Sequence, residues 1–192
     1  SEYADAGVPL PLRARGGFRF GENPLDDWCC DQVAPQPSSH NSADWTGPYQ
    51  ADVTPTILSL NKTYSGPEGE TATGPNYPRQ FTITVDVADG QTVENLDLTD
   101  TLPDNLQFLS VDSVTWNGTG SPTEVATPST SAPGGTLTRR LDQVVGTTGT
   151  NDASLTFSFY IPRDDSGADR VIDPVTGNDV VSANNASALG DW

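Results

Sequence analysis

Lysine is almost absent from these 192 residues: Lys62 stands alone, and eight arginines supply the remaining positive charge. Against 26 acidic residues this leaves a net charge of -17. Phosphate binding needs clustered Lys and Arg, so nucleic acid is disfavoured as a partner, and an anionic membrane surface for the same reason. Such a surface suits a solvated, self-repelling, secreted protein. Long apolar runs are missing, as is an amino-terminal apolar segment of the kind that directs secretion, so this segment is not expected to insert into a membrane. Methionine is missing altogether, as expected of a processed chain or an excerpt of a longer one. There are only two cysteines, Cys29 and Cys30, and a single histidine, His40. That pair has no metal-ligand spacing. Adjacent cysteines close a vicinal disulfide, pair with other chains, or stay as free buried thiols; an oxidised pair in an extracellular setting is the expectation.

What is abundant is turn-forming. Sixteen Pro and eighteen Gly, with many Thr, Ser, Asn and Asp, argue against a helical protein. Residues 1–53 read as an irregular Pro/Gly-rich segment, a linker or donor strand, with a short strand near Gly17-Phe18-Arg19-Phe20. From residue 54 to 192 the pattern alternates. Strands are expected over 57–64, 80–87, 93–102, 106–116, 136–145, 155–161 and 180–188, with a Pro/Ser/Thr loop over 121–135. Phe81, Ile83, Val85 and Val87 share one face of the second, and Leu155, Phe157, Phe159 and Ile161 one face of another. Short alternating strands separated by turn signals predict an all-β fold, an antiparallel β-sandwich.

Three polar residues fall in phase with apolar neighbours. Lys62 follows Leu58 and Leu60; Asp100 lies among Leu96, Leu98 and Leu102; Asn184 shares a face with Val180 and Ala186. Burial disfavours charge, lowering a lysine pKa and raising an aspartate pKa. A neutral amine is a nucleophile, and a protonated carboxyl donates a hydrogen bond. Beside a carboxamide these states permit amide exchange: Lys62 attacks the Asn184 side chain, Asp100 polarises the carbonyl and shuttles the proton, and ammonia leaves. The rival is a Lys62–Asp100 ion pair with Asn184 bonded to backbone. Asn185 is the alternative to Asn184, because a bulge would exchange their faces.

The strings Leu58-Ser59-Leu60-Asn61-Lys62-Thr63, Phe81-Thr82-Ile83-Thr84-Val85, Leu98-Thr99-Asp100-Thr101-Leu102-Pro103-Asp104-Asn105-Leu106 and Asn184-Asn185-Ala186 resemble the DUF11-type, isopeptide-forming repeats of bacterial surface proteins. The resemblance covers roughly residues 54–189. It implies an immunoglobulin-like sandwich, arranged in tandem on extracellular adhesins, stalks or filaments, with neighbouring copies or repeats as partners. Carried over by position, it assigns Lys62 and Asn184 to the cross-link and Asp100 to its proton shuttle. Such chemistry is single-turnover, so the protein is not expected to be an enzyme, and it needs no cofactor.

Other readings follow from weaker signals. Asp164, Asp165 and Asp169 lie in an oxygen-rich turn that a weak calcium site would use, although the spacing of an EF-hand is missing. A calcium- or glycan-binding adhesive module is one alternative. Another is a filament subunit assembled without the bond, in which residues 1–53 add a strand to a neighbour. His40 with nearby Ser38, Ser39 and Asp44 lacks the motifs of a hydrolase.

Overall fold

A computed structural model describes residues 9–17, 45–53, 56–66, 72–149, 151–173, 175–177 and 179–192. The chain divides into two units, Ser1–Thr56 and Ile57–Trp192. In the first, β1 (Leu10–Gly17) pairs antiparallel with β2 (Trp45–Val53), from Leu10 opposite Val53 to Gly17 opposite Trp45. The expectation of an irregular amino-terminal segment is therefore corrected for these residues. Leu10, Leu12 and Ala14 alternate with Pro11, Arg13 and Arg15, a period-two signal that the surrounding Pro and Gly obscure. Of the strand expected at 17–20 only Gly17 is described, as the end of β1. Cys29, Cys30 and His40 lie outside the described residues.

The second unit is an antiparallel two-sheet sandwich. Its strands are β3 (Leu58–Ser65), β4 (Arg79–Val87), β5 (Thr92–Leu102), β6 (Gln107–Trp116), β7 (Gly118–Thr119), β8 (Thr123–Ala126), β9 (Gly135–Val145), β10 (Ala153–Tyr160) and β11 (Asn185–Asp191). One sheet runs β3-β4-β10-β6 and the other β11-β5-β9-β7, with β8 also on β9. No helix occurs among the described residues. The all-β antiparallel sandwich expected from the alternation is the fold observed, and it is consistent with the immunoglobulin-like form that the resemblance implies.

Alternation builds the core directly. Ile83, Val85, Leu155 and Phe157 come from one sheet, and Leu96, Leu98, Leu137 and Leu141 from the other; all eight have no exposed surface. Each such side chain contributes about 1.5–3 kcal/mol when fully buried. In β5 the alternation slips once. Asn95 takes a left-handed φ of 52°, and Val93 and Leu96 on either side are both buried. Buried polar side chains tie loops to this core, as satisfaction of buried donors and acceptors requires. Arg79 donates to the carbonyls of Tyr77 and Ala72, and Gln107 to those of Ser129 and Ala132.

Two expectations need correction. The loop expected over 121–135 contains β8, which pairs Thr123 with Arg140 and Glu124 with Arg139. The last strand was expected over 180–188 but runs Asn185–Asp191. Its pairing starts with Asn185 opposite Thr101, and β5 ends one residue later at Leu102, before Pro103. Proline carries no N–H for a ladder, so residues ahead of Asn184 have no continuing partner strand.

Candidate functional site

Lys62 lies on the edge strand β3, opposite Ile83 of β4. Directly opposed residues of an antiparallel pair point to the same side. Leu58, Leu60 and Lys62 therefore face inward with Val87, Val85 and Ile83, although at the edge Leu60 stays 38% exposed. Asp100 lies in β5, between Leu137 of β9 and Ala186 of β11. Its phase with Leu98 and Leu102 makes it inward, and it has no exposed surface. Asn184 immediately precedes β11, on the edge of the other sheet. It shares the half-buried phase of Ala186 and Ala188, whereas Asn185 is exposed.

These three residues meet. Lys62 Nζ donates to Asp100 Oδ2 at 2.5 Å and to the backbone carbonyl of Asn184 at 3.3 Å. The ammonium sits 4.3 Å from the centre of the Phe81 ring, whose face attracts cations. The Lys62 side chain is 14% exposed. Asp100 Oδ1 and both polar atoms of the Asn184 carboxamide are buried without a hydrogen-bond partner. The Asn184 side chain still lies near enough to favour the ionised form of Asp100. It is therefore adjacent to the carboxyl without forming a well-aligned bond.

The electrostatics converge from both sides. Burial pushes the Lys62 amine below its ordinary pKa, and the hydrogen bond and charge of Asp100 only partly oppose this. Burial pushes the Asp100 carboxyl above its ordinary range, against the pull of Lys62 and Asn184. In water the two pKa values differ by about 6.5 units, so moving the proton from amine to carboxylate costs about 9 kcal/mol. Burial narrows that gap from both ends. The arrangement can therefore hold one shared proton, expose a neutral amine, and leave a carboxamide whose atoms no other group occupies.

Among the other residues singled out from the sequence, Asp164, Asp165 and Asp169 do not converge. Asp165 Oδ1 accepts the backbone N–H groups of Gly167 and Asp169. Asp164 faces Arg170 at 3.4 Å and Arg163 at 3.9 Å. Among the described residues no group of three or more His, Cys, Asp or Glu is placed to hold a metal ion. The oxygen-rich turn thus spends the Asp165 carboxylate on its own backbone and sets Asp164 against two arginines. Phe81 was legible only as core, and the register placing it beside Lys62 required knowing which strand pairs with β3.

A scan of the chain against protein-family models gave no match, and a search of curated proteins gave none either.

Proposed function

We propose that the second unit is a structural domain of a bacterial cell-surface protein, an adhesin, stalk or filament, stiffened by an autocatalytic isopeptide bond between Lys62 and Asn184. The observation that carries this reading is the meeting of an amine, a fully buried carboxyl and an unpartnered carboxamide at one point. Asp100 takes a proton from Lys62. The neutral Nζ attacks Cγ of Asn184, while protonated Asp100 polarises the Oδ1 carbonyl. The new Nζ–Cγ bond forms, Asp100 passes its proton to Nδ2 and takes up one of the two protons left on Nζ, and the Cγ–Nδ2 bond breaks to release ammonia, leaving the carboxyl protonated. One amine and one primary amide become one secondary amide, with no oxidant or cofactor. Holding both reactants at contact distance replaces an encounter by an intramolecular step.

The work done by such a bond is mechanical. It joins an edge strand of one sheet to the residue that opens an edge strand of the other. The acidic surface and the resemblance to isopeptide-forming surface repeats support an extracellular setting, with tandem copies as neighbours. The rival is a permanent Lys62–Asp100 ion pair, which their 2.5 Å contact also favours. Intact mass of the purified chain decides between them. A mass lower by one ammonia is expected for the wild type, and the full mass for Lys62→Ala and Asp100→Ala. A Lys62–Asn184 peptide pair should appear after digestion. An unmodified wild-type mass leaves only the ion pair.

A further inference from the structure

The chain between β10 and β11 runs from Ile161 to Asn184 with no strand among its described residues, apart from a single bridge between Asp164 and Arg170. Connections of this length are uncommon in compact domains unless they serve a function. This one is tied down. Val171 is 2% exposed, its N–H donates to the Arg163 carbonyl, and its own carbonyl accepts the N–H of Val180. The turn after β5 holds the same connection at two points. Ser166 Oγ donates to Asp104 Oδ2 at 3.0 Å, and Asn105 Nδ2 donates to the Val180 carbonyl at 3.2 Å. Asn105 is only 9% exposed.

We propose that Asn105 is a positioning residue for the Lys62–Asn184 reaction, a role that rests on the isopeptide reading above. Pairing with β5 fixes the chain from Asn185 onward. It does not fix the approach to Asn184, which lies just outside the strand. The Asn105 bond to Val180 supplies that second anchor four residues upstream, a reach of at most about 14 Å. Asn184 is then held from both sides, with its carbonyl toward Lys62 and its carboxamide beside Asp100. The acid and the clamp belong to one stretch, Asp100 through Asn105. The element carrying the proton shuttle thus also holds the segment carrying the carboxamide. Loss of the clamp would leave Asn184 at a strand end with one fixed neighbour, where opening is easiest.

The test follows the rate of ammonia loss. Full-length wild type and Asn105→Ala are kept unfolded in denaturant after synthesis, diluted into buffer, and sampled by intact mass. Far-ultraviolet circular dichroism checks that both are folded. Under those conditions a mere loss of stability leaves the folded fraction, and hence the rate, unchanged. The Asn105→Ala chain should react about three- to tenfold more slowly, the effect of one lost hydrogen bond on the reactive geometry. In a Lys62→Ala background, amide exchange over residues 181–186 should also quicken on Asn105→Ala. Should Asn105→Ala fail to fold, Asn105→Asp, which keeps the volume and loses the donor, is read in its place. Equal rates in wild type and variant, or unchanged exchange, overturn the positioning role. No ammonia loss in the wild type itself overturns the isopeptide reading, and the positioning role with it.

Discussion

Asn184→Ala separates a cross-linked domain from an ion-paired one, because the carboxamide it removes has no hydrogen bond to lose. Without a cross-link, deleting two buried and unpartnered polar atoms is neutral or slightly stabilising. With a cross-link the same change opens a covalent loop, since Lys62 and Asn184 stand 122 positions apart. The chain-entropy argument used for disulfides gives about 5 kcal/mol for a loop of that length. For a unit the size of Ile57–Trp192, that converts to a fall in melting temperature of about 17 °C. Scanning calorimetry of both chains, with intact mass on the same samples, makes the comparison. Equal transitions within about 2 °C and no ammonia deficit in the wild type would refute the reasoning.

The Asn184→Ala chain keeps its Lys62 amine, whose pKa burial lowers from 10.5, and its Asp100 carboxyl, whose pKa burial raises from 3.8. The folded state then binds the lysine proton less tightly than the unfolded state, and the aspartate proton more tightly. Stability should fall as pH rises from 3.8 through the raised Asp100 pKa, and climb as pH rises from the lowered Lys62 pKa to 10.5. Melts across pH should show the alkaline climb in this variant and not in the wild type, where the proposed bond turns the Lys62 nitrogen into an amide; matching profiles count against the bond. Asp152→Ala should cost about 2–4 kcal/mol in denaturant melts, since its buried carboxylate accepts the N–H groups of Val87 and Thr147, yet the ammonia deficit should persist. Pulled between Ile57 and Trp192 in a single-molecule experiment, the wild-type unit should lengthen by only about 45 Å, the reach of the residues outside the loop. The Asn184→Ala unit should lengthen by roughly 400 Å, and equal extensions would contradict a covalent tie.

Most of this fold was written in period two. The faces of Phe81–Val87, Leu96–Leu102 and Leu155–Phe159 follow from alternation alone, and with them the inward phase of Lys62 and Asp100. Asn184 was legible as in phase with Ala186, but not as the residue just outside the strand. That position depends on where β5 stops, and so on Pro103 at the end of the neighbouring strand. The short strands escaped for a related reason. Gly118–Thr119 and Thr123–Ala126 are too brief to show a period, and they exist because β9 offers them an edge. The clamp at Asn105 left no local signal, since its partner is a backbone carbonyl 75 positions away.

The site breaks local rules in a consistent direction, which is the pattern expected where function and stability compete. A lysine and an aspartate are taken out of water, and their attraction only partly offsets the burial that perturbs both. Two carboxamide atoms and one carboxylate oxygen lack partners beside them. Read as a permanent ion pair, this arrangement stabilises little, and hydrophobic residues of the same volume would serve as well or better. Read as the state before bond formation, each defect has a consequence. The desolvated pair passes its proton across and leaves no charge, and the orphan carboxamide becomes the electrophile. The secondary amide that results has an N–H beside Asp100, so the carboxyl gains a donor from the same reaction that removes the amine. The unpaired atoms and the perturbed charges thus disappear together in one product. That shared resolution, more than any single distance, is what favours the proposed reaction over a permanent ion pair.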